Sequence, residues 1–167
     1  MINAEYLEAK SVAFKYVVYR RRTVNEVREK LKNNNYNSEI IEKIFDELIC
    51  FEYLNDKIYT QKFIEKNKKD SISVLKLKLS NKGISKELIE ECFNNNHCDE
   101  VDKIIKLLEK KKYDDNLEPT QKDKIKAYCA RRGFKIADIE KAIKRRKENN
   151  EWIKKSIRIY KRKTFWF

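Results

Sequence analysis

The sequence predicts an all-α fold of tandem three-helix repeats, in three copies, followed by a basic C-terminal helix or tail. Composition is the first reason. The 167 residues include two Gly and one Pro, with 40% charged and 41% hydrophobic residues, as expected of helices joined by short connections. A strongly punctuated helical hairpin around Gly83 is the second, and its recurrence along the chain is the third. Each unit of roughly 50 residues would be marginal alone and should lean on its neighbours.

In that hairpin, Leu75 and Leu79 sit on one face of a helix that Gly83 ends, because Gly accepts the left-handed conformation without a Cβ clash. Ile84 can pack back on the helix just left. Ser85 is a preferred N-cap, Glu87 suits the first turn, and Ile89 with Phe93 carries the next apolar stripe. Leu79, Gly83, Ile84, Ile89 and Phe93 overlay Leu31, Asn35, Tyr36, Ile41 and Phe45 at identical offsets. Cys129, Gly133, Phe134, Ile139 and Ile143 repeat them again. The period is 48 and then 50 residues, the mark of a repeat protein. Positive φ is expected at Gly83, Gly133 and Asn35, since Asn tolerates that region next best. All the overlaid apolar positions from Leu31 to Ile143 are expected in the core.

The first unit, 1–54, opens with a helix over Asn3–Arg22, its inward face formed by Leu7, Val12, Tyr16 and Tyr19. Thr23 with Glu26 is a capping box, and Val24, Val27 and Leu31 make the stripe of the second helix. Ser38 should cap the third, which buries Ile41, Ile44, Phe45, Leu48 and Ile49. Tyr53-Leu54-Asn55-Asp56 is the joint to the second unit, 55–98, whose first helix turns Tyr59 and Phe63 inward. Ser71 or Ser73 restarts the chain into the hairpin. In the third unit, 99–146, Val101, Ile104, Ile105 and Leu108 form one stripe, and Pro119 with Thr120 starts the next helix, which turns Ile125, Tyr128 and Cys129 inward. A last hairpin helix begins near Ala137. Residues 147–167 form a basic aromatic tail.

The net charge is +13, of which Lys144–Lys163 alone contributes +8. No apolar run approaches the ~18–20 residues needed to cross a bilayer, and Met1–Glu5 does not look like a secretory signal. The chain is therefore expected in the cytoplasm. Cys92 and Cys129 fall on stripe positions and read as reduced, buried hydrophobes. His97-Cys98 beside Cys92 would be at most half a zinc site, since no second ligand pair has the right spacing. No nucleophile is paired with a base, and two isolated Gly cannot cradle a phosphate. No enzyme activity, metal or cofactor is expected. A stack of helical repeats offers shape and charge, which makes it a binding surface.

Four short motifs then carry a family likeness. Arg20-Arg21-Arg22-Thr23 with Glu26 and Leu31, Tyr53-Leu54-Asn55-Asp56-Lys57-Ile58-Tyr59, Lys78-Leu79-Ser80-Asn81-Lys82-Gly83-Ile84 and Arg131-Arg132-Gly133-Phe134 resemble, in order, motifs of the RecX family of bacterial RecA regulators. The likeness covers about Ser11 to Arg146; Asn35 and Asn55 depart from it by standing where the family has Gly and Asp. It implies an elongated, curved stack of three-helix repeats. It also implies binding along the groove of RecA filaments on single-stranded DNA, restraining filament growth, strand exchange and co-protease activity in DNA repair and the SOS response. The partners implied are RecA and the RecA–single-stranded-DNA filament, met by a monomer.

Partner contacts are expected from cations in and beside these motifs: Arg20, Arg22, Lys78, Lys82, Arg131, Arg132, Arg145 and Arg146. The alternative is a sequence-nonspecific nucleic-acid binder. For that role the tail supplies Lys154, Lys155, Arg158, Lys161 and Arg162, beside Trp152, Ile153, Ile157, Tyr160 and Trp166. The tail has three readings: a helix capping the third repeat with its apolar stripe, a phosphate-tracking strip with aromatics to stack on bases, or a membrane-surface helix.

Overall fold

The computed structural model describes the backbone of residues 4–94 and 99–163. Among these residues every regular element is an α-helix: α1 (Ala4–Tyr19), α2 (Val24–Asn33), α3 (Ser38–Cys50), α4 (Asp56–Lys66), α5 (Ile72–Ser80), α6 (Lys86–Asn94), α7 (Glu100–Lys110), α8 (Pro119–Arg131) and α9 (Ile136–Lys163). Three apolar clusters hold them. One gathers Ala9, Val27, Leu31, Ile41, Ile44, Phe45 and Leu48 from α1–α3, a second Tyr59, Leu79, Ile84 and Ile89 from α4–α6, and a third Ile104, Leu108, Cys129, Phe134, Ile139 and Ala142 from α7–α9. The backbone divides into two compact units, Met1–Asn67 with Leu75–His97, and Lys68–Val74 with Cys98–Phe167.

The recurring hairpin is a recurring hydrogen-bond pattern. Asn35, Gly83 and Gly133 have φ of 62°, 78° and 85°. In each, the left-handed residue's N–H donates to a carbonyl three residues back, and the next N–H donates to one five back: Tyr36 to Leu31 (3.4 Å), Ile84 to Leu79 (3.2 Å) and Phe134 to Cys129 (3.4 Å). These are Schellman turns, which satisfy the last carbonyls of a helix and bring two apolar side chains together. A fourth occurs where the chain has no Gly or Asn. Lys112 has φ of 53°, and the Tyr113 N–H reaches the Leu108 carbonyl at 2.9 Å. Buried Leu108 and Tyr113 recover by apolar contact what the lysine backbone gives up.

Ion pairs repeat with the same period. Arg28–Glu42, Lys76–Glu90 (2.6 Å) and Lys126–Glu140 (2.8 Å) link the two helices of each hairpin. Half-exposed pairs of this kind contribute well under ~1 kcal/mol each, so they align the helices more than they stabilise them.

Several expectations change. Asn37, not Ser38, caps α3, its side-chain oxygen accepting from the Glu39 N–H, because the helix starts one residue earlier than expected and takes Ser38 into its first turn. α1 buries Ala9, Ala13 and Val17, while Leu7, Tyr19 and, in α3, Ile49 are exposed; small residues let α1 approach its neighbours closely. Tyr36, Phe93 and Ile143 are only half-buried, packed at the edges of their clusters, with Cys92 and Ala142 filling the deeper sites. Leu107 joins the third cluster. α9 starts at Ile136 and runs unbroken to Lys163, so the tail is the continuation of the last hairpin helix. Trp152, Ile153 and Ile157 on it are 70%, 47% and 50% exposed, so these three side chains do not cap the repeat. His97, Cys98 and Trp166 lie outside the described residues, as do the side chains of Lys154, Tyr160, Lys161 and Arg162.

Candidate partner-binding surfaces

Several of the expected contact residues sit in joints where a helix start meets the turn of the following hairpin. In the first joint Thr23 is fully buried. Its hydroxyl accepts from the Glu26 N–H at 3.1 Å and donates to the Lys82 carbonyl at 2.8 Å. The Glu26 carboxylate accepts from the Thr23 N–H and pairs with the Lys82 ammonium at 2.5 Å, and Asp56 accepts from the Val24 N–H at 3.0 Å. Burial pushes the Glu26 carboxyl up, but the Lys82 ammonium and the Thr23 amide outweigh it and hold it below its ordinary range. Burial raises Asp56, only partly opposed by the Val24 amide.

The second joint is built alike, within the other unit. The Ser71 hydroxyl accepts from the Val74 N–H at 3.2 Å, the Ser71 N–H donates to the Arg132 carbonyl at 3.0 Å, and Arg132 pairs with Asp70 at 2.7 Å. Glu100, at the start of α7, accepts from the Ile72 N–H at 2.5 Å, as Asp56 at the start of α4 does from Val24. Lys82 and Arg132 thus occupy equivalent places, each also lying over a ring, Tyr59 at 5.7 Å and Tyr128 at 5.0 Å. Their charge is committed to these joints.

The other expected residues divide in the same way. Arg22 stacks on Tyr16 at 4.1 Å, and Arg145 pairs with Asp99 and Asp102 at 3.3 and 3.2 Å. Arg146 lies over Tyr113 at 5.9 Å. Arg20, Lys78, Arg131, Lys155 and Arg158 are exposed.

Two clefts concentrate cations, and among those cations only Arg20 is a contact residue expected from sequence. In the first unit, Arg20, Arg21, Lys62 and Lys66 surround Tyr59 and Phe63 in a cleft of about 250 Å³. The two rings are stacked, with centroids 6.2 Å apart and 19° between planes. In the second unit, Lys68, Lys69, Lys103, Lys106 and Lys110 surround Leu107 in a cleft of about 280 Å³. Part of the signal for the latter lay in the sequence, where Lys103, Lys106 and Lys110 follow helical spacing; Leu107 lies outside the expected stripe of Val101, Ile104, Ile105 and Leu108. Among the described residues no group of His, Cys, Asp and Glu could hold a metal ion, and no helix is long and apolar enough to cross a membrane.

The molecule is therefore a three-helix-repeat protein whose joints are polar and which carries two basic clefts. Residues 9–48 match the model of the first three-helix domain of RecX. The chain is 30% identical over 143 residues to the regulatory protein RecX of Caldanaerobacter subterraneus subsp. tengcongensis, covering 83% of this chain and 71% of that one. It is 34% identical over 149 residues to the same-named protein of Streptococcus agalactiae, covering 80% and 57%. Superposition on the crystal structure of RecX from Lactobacillus salivarius gives a TM-score of 0.69 at 27% identity, over 86% of this chain and 97% of that one. The chain belongs to the RecX family.

Proposed function

We propose that this protein binds RecA and RecA filaments on single-stranded DNA and restrains their growth, ATP hydrolysis, strand exchange and co-protease activity. It does so in the cytoplasm, by binding rather than by catalysis. Family membership carries this reading, and the relatives' shared description as regulatory proteins supports it. The chain spans 71% and 57% of those two relatives, so the activity assigned is that of the shared repeats. Exposed Arg20 and Arg131 and the aromatic-floored basic cleft offer contacts to an anionic filament surface. Lys82, Arg132 and Arg145 serve the binding surface indirectly, through the joints and pairs they hold.

Exposed Trp152 on a helix carrying exposed Lys155 and Arg158 favours a second reading, direct contact with single-stranded nucleic acid. One titration separates the two. Labelled single-stranded DNA at physiological salt should bind this protein weakly alone and strongly with RecA and ATP. Strong binding without RecA would favour the direct reading. In that case deleting 147–167 should flatten the salt dependence by ~0.7 in log–log slope for each phosphate that the tail neutralises.

A further inference from the structure

The lysine cleft of the second unit is not explained by either reading. Lys103, Lys106 and Lys110 project from one face of α7, and Lys68 with Lys69 precedes α5. The Glu100–Ile72 hydrogen bond at 2.5 Å holds that segment against the start of α7. Like charges gathered in one cleft repel, and four carboxylates beside it in sequence are engaged elsewhere, leaving Glu109 on α7 as the neighbouring acid. Asp70 pairs with Arg132, Asp99 and Asp102 with Arg145, and Glu100 with the Ile72 amide. Such a cleft is stabilised by an anionic occupant.

Its floor says which kind. Leu107 and the methylene stems of the lysines make an apolar wall, with ammonium groups at the rim. The lining contains no aromatic ring to stack on a base and no guanidinium fork to grip a phosphate in two places. An apolar pit ringed by cations matches an apolar side chain ringed by carboxylates. Burial of that side chain supplies affinity, and the charges supply register and speed of encounter.

We propose that the Lys68–Lys69–Lys103–Lys106–Lys110 cleft is a docking site for an acidic protein segment that inserts one apolar side chain over Leu107.

The test uses the whole chain and fluorescence anisotropy, with a short labelled peptide of Asp and Glu around one central Phe. The site stands independently of the RecA reading, because the titration contains no RecA. Replacing the central Phe by Ser should weaken binding by about tenfold, the scale of losing a buried anchor. Lys106→Gln with Lys110→Gln should weaken the Phe peptide by a similar factor. Lys124→Gln with Lys135→Gln, which removes the same charge elsewhere, should change it little. Circular dichroism should show unchanged helicity in both variants, since all four lysines are exposed and Gln is a comparable helix former. Equal binding of the Phe and Ser peptides would overturn the proposal. So would equal weakening in the two variants. Binding of an oligothymidylate, but not of the peptide, with loss in the Lys106/Lys110 variant, would assign the cleft to a phosphate backbone instead.

Discussion

Phe45→Ala is expected to destabilise the protein by about 3–5 kcal/mol, the scale for emptying an aromatic core site. Phe45 is 2% exposed among Val27, Leu31, Ile41 and Leu48, and the Arg28 guanidinium lies 4.6 Å from its ring centre. Removing the ring leaves a cavity and strips the cation of its face. Phe93 is its repeat equivalent but sits half-buried at the edge of its cluster, beneath the Lys76 ammonium at 5.5 Å. Phe93→Ala should cost only about 1 kcal/mol, because roughly half of the side chain's burial is at stake. Urea unfolding of both variants checks the contrast. Equal destabilisation would show that the two positions are equally deep in solution.

Gly133→Ala is expected to cost about 2–4 kcal/mol, combining left-handed strain with overpacking. At φ of 85° any Cβ is strained, and here it would also strike Val74 Cγ2 and lie 2.6 Å from Ser71 Oγ. Ser71 is the cap of α5, so the collision falls on the joint itself. Gly83→Ala places a Cβ against Asn25 in the matching joint, 2.6 Å from its Nδ2. Asn35→Gly, at the third such turn, should be neutral or mildly stabilising, as the residue already carries the conformation at some cost. Thermal unfolding of the three variants should therefore show two large decreases and none at Asn35. A small decrease at Gly133 would mean the Val74 side chain moves aside freely.

The contrast between Asn35 and Lys112 explains how much of the fold was legible. Turns at Asn35, Gly83 and Gly133 could be read because those residue types signal positive φ. Lys112 adopts the same conformation, but only the packing of Leu108 and Tyr113 compels it, which no local pattern announces. Glu52, also at positive φ (57°), was missed for the same reason. The face of α1 was misread because Ala9 and Ala13 carry little hydrophobic signal, although close helix approach makes them core. On the binding side, cations could be named but not sorted. Lys82 and Arg132 look like surface charges in sequence, yet each answers a carboxylate many positions away, Glu26 and Asp70. The helical spacing of Lys103, Lys106 and Lys110 is visible in the sequence, but neither cleft is complete there: Arg20 meets Tyr59 and Lys62, and Lys68 meets Lys106, only in the folded chain.

The most direct measurement of the proposed role is RecA-catalysed ATP hydrolysis on single-stranded DNA, followed as this protein is added below the concentration of RecA. The account predicts progressive inhibition at substoichiometric amounts, because a protein that limits filament growth acts on many RecA subunits at once. Arg20→Glu with Arg21→Glu should relieve that inhibition while leaving the folded state intact, since both side chains are exposed beside the aromatic cleft. Unchanged hydrolysis at every ratio up to equimolar protein would contradict the proposed role.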